Sequence, residues 1–255
     1  MQTRINGFQM NYQVSGRAEA PPVILHHPLA TTLESWGELT AALEPAYRVI
    51  RFDARGHGKS EATPGAYRFG QLTSDVIGLM DHLGVAKARY VGLSMGGFVG
   101  QYLGLLHASR FHSLGLVSTS SSMSAGQEIW DTRIRTAAED GMPTVVDGAM
   151  ARWVAPKVLA GSNPALVARL RAMVLATPPV GYVGWCEAIR TLDITSRLGE
   201  IKLPVQVIVG ALDPATPPAA AEVIHKGIPG SELVVMPGVS HMLQVEEPAA
   251  FQSLI

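Results

Sequence analysis

The sequence predicts an α/β chain, a mainly parallel sheet with helices on its faces, interrupted once by a helical insertion. Three observations carry this. Short β-branched or apolar runs recur between longer helical patterns. Most of these runs are apolar throughout rather than alternating, as in strands covered on both faces. One gap between successive runs reaches roughly 85 residues, far beyond an ordinary crossover. A chain of 255 residues with 47% hydrophobic content can bury one large core.

Taken in order, stretches 3–7 and 9–15 alternate polar and apolar residues and meet at Asn6-Gly7, which predicts an antiparallel hairpin at a sheet edge. Val23-Ile24-Leu25, Tyr47 to Phe52, Tyr90 to Leu93, Leu114 to Val117, Val205 to Val209 and Leu233 to Met236 then read as strands buried on both faces, making about eight in all. The long gap lies between Thr119 and Val205. From Ser122 to Thr195 apolar residues fall at helical spacing, as in Ile129, Ile134, Ala137 and Ala138 or Leu166, Val167, Leu170 and Val174. Pro143, Pro156, Pro164 and Pro178-Pro179 punctuate that segment. The expected organisation is a core of residues 1–121 and 196–255 carrying a helical cap of residues 122–195. Trp130, Trp153 and Trp185 fall in the cap with Met123, Met142, Met150 and Met173, where packing against the core is the ordinary role for any one of them. An apolar helical pattern is still running at Phe251 to Ile255, so a short terminus is expected.

Charge and composition exclude several classes. Lys and Arg number 20 against 21 Asp and Glu, with no block of one sign, which argues against a nucleic-acid partner. The first twenty residues lack a continuous apolar region, and no stretch approaches the roughly 18 apolar residues of a membrane span. A soluble, cytoplasmic protein without a membrane partner is expected. A single cysteine, Cys186, leaves no internal disulfide and no multi-cysteine metal site.

The chemistry sits at strand ends. Gly92-Leu93-Ser94-Met95-Gly96-Gly97 follows the strand at Tyr90 and precedes an apolar helical pattern. A strand that turns abruptly into a helix holds the residue between them in a strained conformation, and small neighbours let the two chains approach, so Ser94 is exposed above the sheet. A serine hydroxyl needs a general base, and the base needs an orienting acid. Asp213 and His241 each follow a later strand, in the chain order Ser, acid, His expected on such a sheet. Taken singly, Asp213 before a proline is a turn residue and His241 a packed imidazole; their joint order at one sheet edge points to a triad. Among the other histidines, His57 lies in the glycine-rich turn Arg55 to Ser60, while His82, His107, His112 and His225 fall within or beside helical patterns. An acyl-transfer site also needs two N–H donors for an oxyanion. Met95 follows the nucleophile, and since Pro28 has no N–H, Leu29 is the expected second donor, with His27 shaping the loop or touching substrate.

Tyr47 to Ser60 (YRVIRFDARGHGKS), Val91 to Gln101, Trp130-Asp-Thr-Arg-Ile134, Ala176 to Tyr182 and Gly210 to Pro218 (GALDPATPP) together resemble the α/β-hydrolase superfamily, and more narrowly its 3-oxoadipate enol-lactonase group, over nearly the full chain. The resemblance departs at the loop after the first parallel strand, where enol-lactonases resemble Asn-Ser-Leu-Gly-Thr and this chain has His27-Pro28-Leu29-Ala30-Thr31. It implies the α/β-hydrolase fold and a serine hydrolase without metal or cofactor, acting on a small ester or lactone through an acyl-enzyme. Its catalytic residues would be Ser94, Asp213 and His241, its oxyanion donors Leu29 and Met95, and its candidate substrate contacts His27, Trp130, Arg133, Trp153 and Trp185. Arg133 and Arg190 could pair with a substrate carboxylate, although a surface arginine is the ordinary reading of each. A carboxylesterase, a perhydrolase or a C–C bond hydrolase would use the same triad, and a ligand-binding receptor would use the same pocket without turnover. Haloalkane dehalogenases and epoxide hydrolases resemble this fold with aspartate where this chain has Ser94. Neither spacing nor composition speaks to oligomeric state.

Overall fold

The computed structural model describes residues 1–123 and 126–255. The hairpin forms as its turn chemistry requires. β1 (Gln2–Ile5) and β2 (Phe8–Ser15) pair antiparallel around Asn6 and Gly7, both at positive φ (46° and 85°), the two-residue turn that matches strand twist. β3 (Pro22–His26), α1 (Gly37–Leu43), β4 (Arg48–Phe52), α2 (Phe69–His82), β5 (Ala88–Leu93), α3 (Met95–Leu106) and β6 (Phe111–Val117) follow in alternation. Then come α4 (Gln127–Glu139), α5 (Pro143–Trp153), α6 (Pro164–Ala176) and α7 (Pro179–Ile189) without an intervening strand. β7 (Val205–Gly210), α8 (Pro218–Gly227), β8 (Glu232–Met236), α9 (Leu243–Glu246) and α10 (Pro248–Gln252) close the described chain. The prolines between β6 and β7 break helices by starting them: Pro143, Pro164 and Pro179 each stand in the first turn, where a missing N–H costs nothing.

The eight strands form one sheet in the order β1-β2-β4-β3-β5-β6-β7-β8. Pairs from β4 through β8 are all parallel, so every loop leaving their carboxyl ends opens on one edge. Register sets which loops leave together. His26 lies opposite both Phe52 and Gly92, which brings the loops after β3, β4 and β5 side by side. Gly210 lies opposite Met236, so the loops after β7 and β8 also start level.

The structure corrects one sequence expectation here and refines another. β8 is not buried on both faces: it pairs only with β7, and Val235 is 44% exposed. His112 lies just past a short 3-10 helix (Ala108–Arg110) but is itself an exposed residue of β6, hidden from the sequence reading because the polar residues of that strand's first half break its apolar run. The two stems of the β6–β7 excursion are zipped together. Met123 N–H donates to the Leu192 carbonyl (2.8 Å) and Ile194 N–H to that of Ser121 (2.9 Å). Among the described residues, no helix is long and apolar enough to cross a membrane.

Candidate active site

The sharp turn between β5 and α3 puts Ser94 at φ 53°, ψ −109°, a region an L-residue enters only under constraint. The constraint is visible: Ser94 N–H donates to the Val117 carbonyl (2.8 Å), and its own carbonyl accepts from Phe98 N–H (2.9 Å) and the Thr119 hydroxyl (3.1 Å). A Cβ on Gly92 would strike the Gly96 carbonyl, and one on Gly96 would strike the His26 carbonyl, so both glycines are required by close approach. Ser94 is thereby half-buried on the floor of a cavity of about 260 Å³.

His241 lines the same cavity. Its Nδ1 lies 2.8 Å from Asp213 Oδ2, with both side chains buried. Asp213 is well supplied with donors. Its Oδ1 accepts from the N–H groups of Ala215 (2.8 Å) and Thr216 (3.0 Å), and its Oδ2 accepts the Thr216 hydroxyl (3.0 Å). Burial opposes its ionisation, but the His241 ring and these N–H bonds outweigh burial and hold the carboxyl below its ordinary range. A carboxylate on Asp213 fixes the Nδ1–H tautomer of His241 and turns Nε2 toward the cavity that Ser94 also lines.

Met95 is the first residue of α3, and an N–H at that position has no acceptor within its helix. Leu29, from the loop after β3, lines the cavity with Ser94. That loop is held from beneath by two buried imidazoles. His57 Nε2 accepts from Ala30 N–H (2.9 Å) while its Nδ1 faces the Arg55 carbonyl (3.3 Å). His27 Nε2 accepts from Ala54 N–H (2.9 Å) and its Nδ1 donates to the Pro28 carbonyl (2.9 Å). His26 completes the cluster. The Tyr90 hydroxyl donates to the Gly96 carbonyl (2.7 Å) and so accepts from His26 Nδ1 (2.8 Å), leaving Nε2 bare and without a partner among the described residues. Burial pushes the pKa of all three rings down, His57 to about 3. Each is a neutral spacer beneath the loop after β3.

The roof comes from α4, α5 and α7. Trp130 and Arg133, one turn apart on α4, line the cavity with the guanidinium 4.6 Å above the indole. Trp153 lines it from the end of α5, beside Arg152. Two of the expected substrate contacts are corrected. His27 is fully buried with both ring nitrogens bonded to backbone, and Trp185 is buried with its Nε1–H donated to the Arg55 carbonyl (2.8 Å); neither lines the cavity. Arg190 is paired with Asp131 (2.7 Å) and Glu187 (2.8 Å) outside it. Arg133, by contrast, is no surface arginine. Sequence reasoning missed Arg152, which burial and the nearby Arg133 pull down to about 10. Neither Arg133 nor Arg152 forms an ion pair among the described residues. Its signal was present as Ala149, Arg152 and Trp153 on one helical face, but only the fold shows what that face meets.

Comparison with known proteins agrees with this architecture. The profile of the alpha/beta hydrolase fold matches residues 21–145 and 164–248. The chain is 35% identical over 246 residues to 3-oxoadipate enol-lactonase 2 of Acinetobacter baylyi, covering 96% of this chain and 91% of that protein. Among solved structures, the enol-lactonase of Burkholderia xenovorans LB400 superposes with a TM-score of 0.96 at 35% identity, over 100% of this chain and 97% of the other. A thermophilic esterase of Thermogutta terrifontis, solved with malate bound, superposes with a TM-score of 0.92 at 26% identity, over 99% and 94%.

Proposed function

The chain belongs to the alpha/beta hydrolase family and is a hydrolase, and from that premise we propose that it is a serine hydrolase opening a small lactone or ester that bears a carboxylate. The observation that carries this is the arginine pair. Arg133 and Arg152 face the cavity that holds Ser94 and His241, without a carboxylate partner among the described residues. Two guanidinium groups that repel each other in a half-buried wall are stabilised by an anion between them, and a carboxylate supplies one with bidentate geometry. Its other end then lies against Ser94.

In the proposed cycle His241 Nε2 takes the Ser94 proton as Oγ attacks the acyl carbon, and Asp213 holds the imidazolium. The carbonyl oxygen gathers charge and receives the N–H groups of Leu29 and Met95. The C–O bond to the leaving oxygen breaks and His241 returns the proton to it. Water, deprotonated by the same ring, then releases the acyl group and restores Ser94. Helices of residues 122–195 act as a cap that narrows the cavity to about 260 Å³, which suits a small substrate. The similarity to enol-lactonases makes 3-oxoadipate enol-lactone the first substrate to try.

The test is steady-state hydrolysis of that enol-lactone, a neutral γ-lactone and p-nitrophenyl acetate by wild type and Ser94→Ala. Preference for the enol-lactone, lost by several orders of magnitude in the variant, is the expected result. Hydrolysis of the neutral compounds alone would leave a general esterase. Unchanged activity in Ser94→Ala would sink the serine mechanism, and tight binding without turnover would make the chain a receptor.

A further inference from the structure

The loop carrying His241 is tied to the cap helix that carries Arg152 and Trp153, and one carboxylate ties it. Glu246 Oε1 accepts the N–H of Ser240 (2.8 Å), the residue before His241. Its Oε2 accepts the N–H of Ala155 (2.8 Å), just beyond the end of α5. The contacts around it run between the same two segments. Met242 N–H, on the other side of His241, donates to the Trp153 carbonyl (2.9 Å). The Ser240 hydroxyl reaches the carbonyls of Arg152 (3.4 Å) and of Leu212 (3.2 Å), the latter adjoining Asp213. Each neighbour of the histidine is thus bonded to the backbone of one cavity-wall residue, Ser240 to Arg152 and Met242 to Trp153. The last carbonyls of a helix need outside donors, and those of Arg152 and Trp153 at the end of α5 find them in this one loop.

We infer that Glu246 is a positioning residue, which holds the His241 loop and the arginine-bearing end of α5 at a fixed spacing across the cavity. The inference rests on the reading of Ser94 and His241 as nucleophile and base. Only a group with two acceptor oxygens about one carboxylate apart can take both N–H groups at once. Glutamine keeps one acceptor and turns its NH2 against the other N–H. Alanine keeps neither. The base and the carboxylate anchor are therefore loosened together when Glu246 is replaced, although Glu246 itself does not line the cavity.

The experiment measures kcat and KM of wild type, Glu246→Gln, Glu246→Ala and Ser94→Ala with 3-oxoadipate enol-lactone and with p-nitrophenyl acetate, alongside thermal melting of each protein. In Glu246→Ala, kcat is expected to fall between about 10- and 100-fold for both substrates, the scale of a misplacement near 1 Å. KM is expected to rise for the carboxylate-bearing lactone and not for the neutral ester, because only the former uses the α5 wall. Glu246→Gln should lie between. A merely structural glutamate would lower the melting temperature and leave both parameters unchanged. Folded Glu246 variants with wild-type kcat and KM, while Ser94→Ala is inactive, would overturn this inference alone. A Glu246→Gln protein that fails to fold would overturn it too, by making the contact one of stability. Retained activity in Ser94→Ala would instead strike the reading beneath it.

Discussion

Three neutral histidines beneath the loop after β3 make the stability of this fold depend on pH in a direction that can be worked out. Burial, with His27 nearby, pulls His57 from 6.5 to about 3, the Arg55 carbonyl only partly opposing it. An unfolded chain takes up that proton below about pH 6.5, whereas the folded chain refuses it until about pH 3. The unfolded state therefore binds more protons in that window, and stability falls as acid is added. The difference of about 3.5 units is worth about 5 kcal/mol from His57 alone, at about 1.4 kcal/mol per pH unit. Burial shifts His26 and His27 the same way, so both steepen the loss of wild-type stability in acid. Raised carboxyls at Asp75 and Glu246 oppose this and the lowered Asp213 adds to it, which makes the difference between two proteins the clean readout. The perturbation is His57→Gln, whose side-chain oxygen still accepts Ala30 N–H but does not titrate. Unfolding free energies from urea titrations between about pH 5 and 7 should give a slope about 1 kcal/mol per unit shallower in the variant, since the unfolded ring is only half protonated at 6.5. Equal slopes would mean that folded His57 carries its own proton. That would remove it as the acceptor for Ala30.

Other expectations follow from single contacts. Arg152→Leu and Arg133→Leu should each lower kcat/KM for the carboxylate-bearing lactone by about 10- to 100-fold, the range of a charge-assisted hydrogen bond, while leaving p-nitrophenyl acetate within about threefold. Thr216→Val removes the hydroxyl that donates to Asp213 Oδ2 but keeps both N–H bonds, so kcat should fall by about 3- to 10-fold, a net single hydrogen bond, with the protein still folded. Ala30 sits at φ 57°, where glycine is unstrained; Ala30→Gly should change stability by between about 0 and +1 kcal/mol in denaturant titration, strain relief offset by unfolded-state entropy.

What was legible in the sequence is what depends on local chemistry. The hairpin at Asn6-Gly7, the glycines around Ser94 and the prolines that open the helices between β6 and β7 all declare themselves within a few residues. The joint order of Ser94, Asp213 and His241 was legible too, because parallel strands send their loops to one edge whatever fills the core. What failed depended on partners far along the chain. Trp185 looked like a ligand contact until its N–H was found on the Arg55 carbonyl, 130 residues away. Arg152 looked like any helix arginine because its surroundings, Arg133 and the cavity, are set by how α5 meets α4. β8 was misjudged because no pattern within a strand says whether a further strand will pair with it.

The changed loop after β3 can now be weighed in these terms. Relative to Asn-Ser-Leu-Gly-Thr, the chain puts histidine and proline before Leu29 and alanine after it. His27 does not bring its polarity to the cavity, for both ring nitrogens are used by the Ala54 N–H and the Pro28 carbonyl. What the cavity meets is Pro28 and Ala30, two apolar surfaces on either side of Leu29. Alanine at positive φ is disfavoured by about 1 to 2 kcal/mol relative to a relaxed backbone, and the bond from its N–H to His57 is the interaction that holds it there. This loop therefore presents no polar side chain of residues 28–30 to the cavity. Under the proposed function, recognition of a charged substrate would then fall on Arg133 and Arg152, and the distance between them and Ser94 would select the substrate.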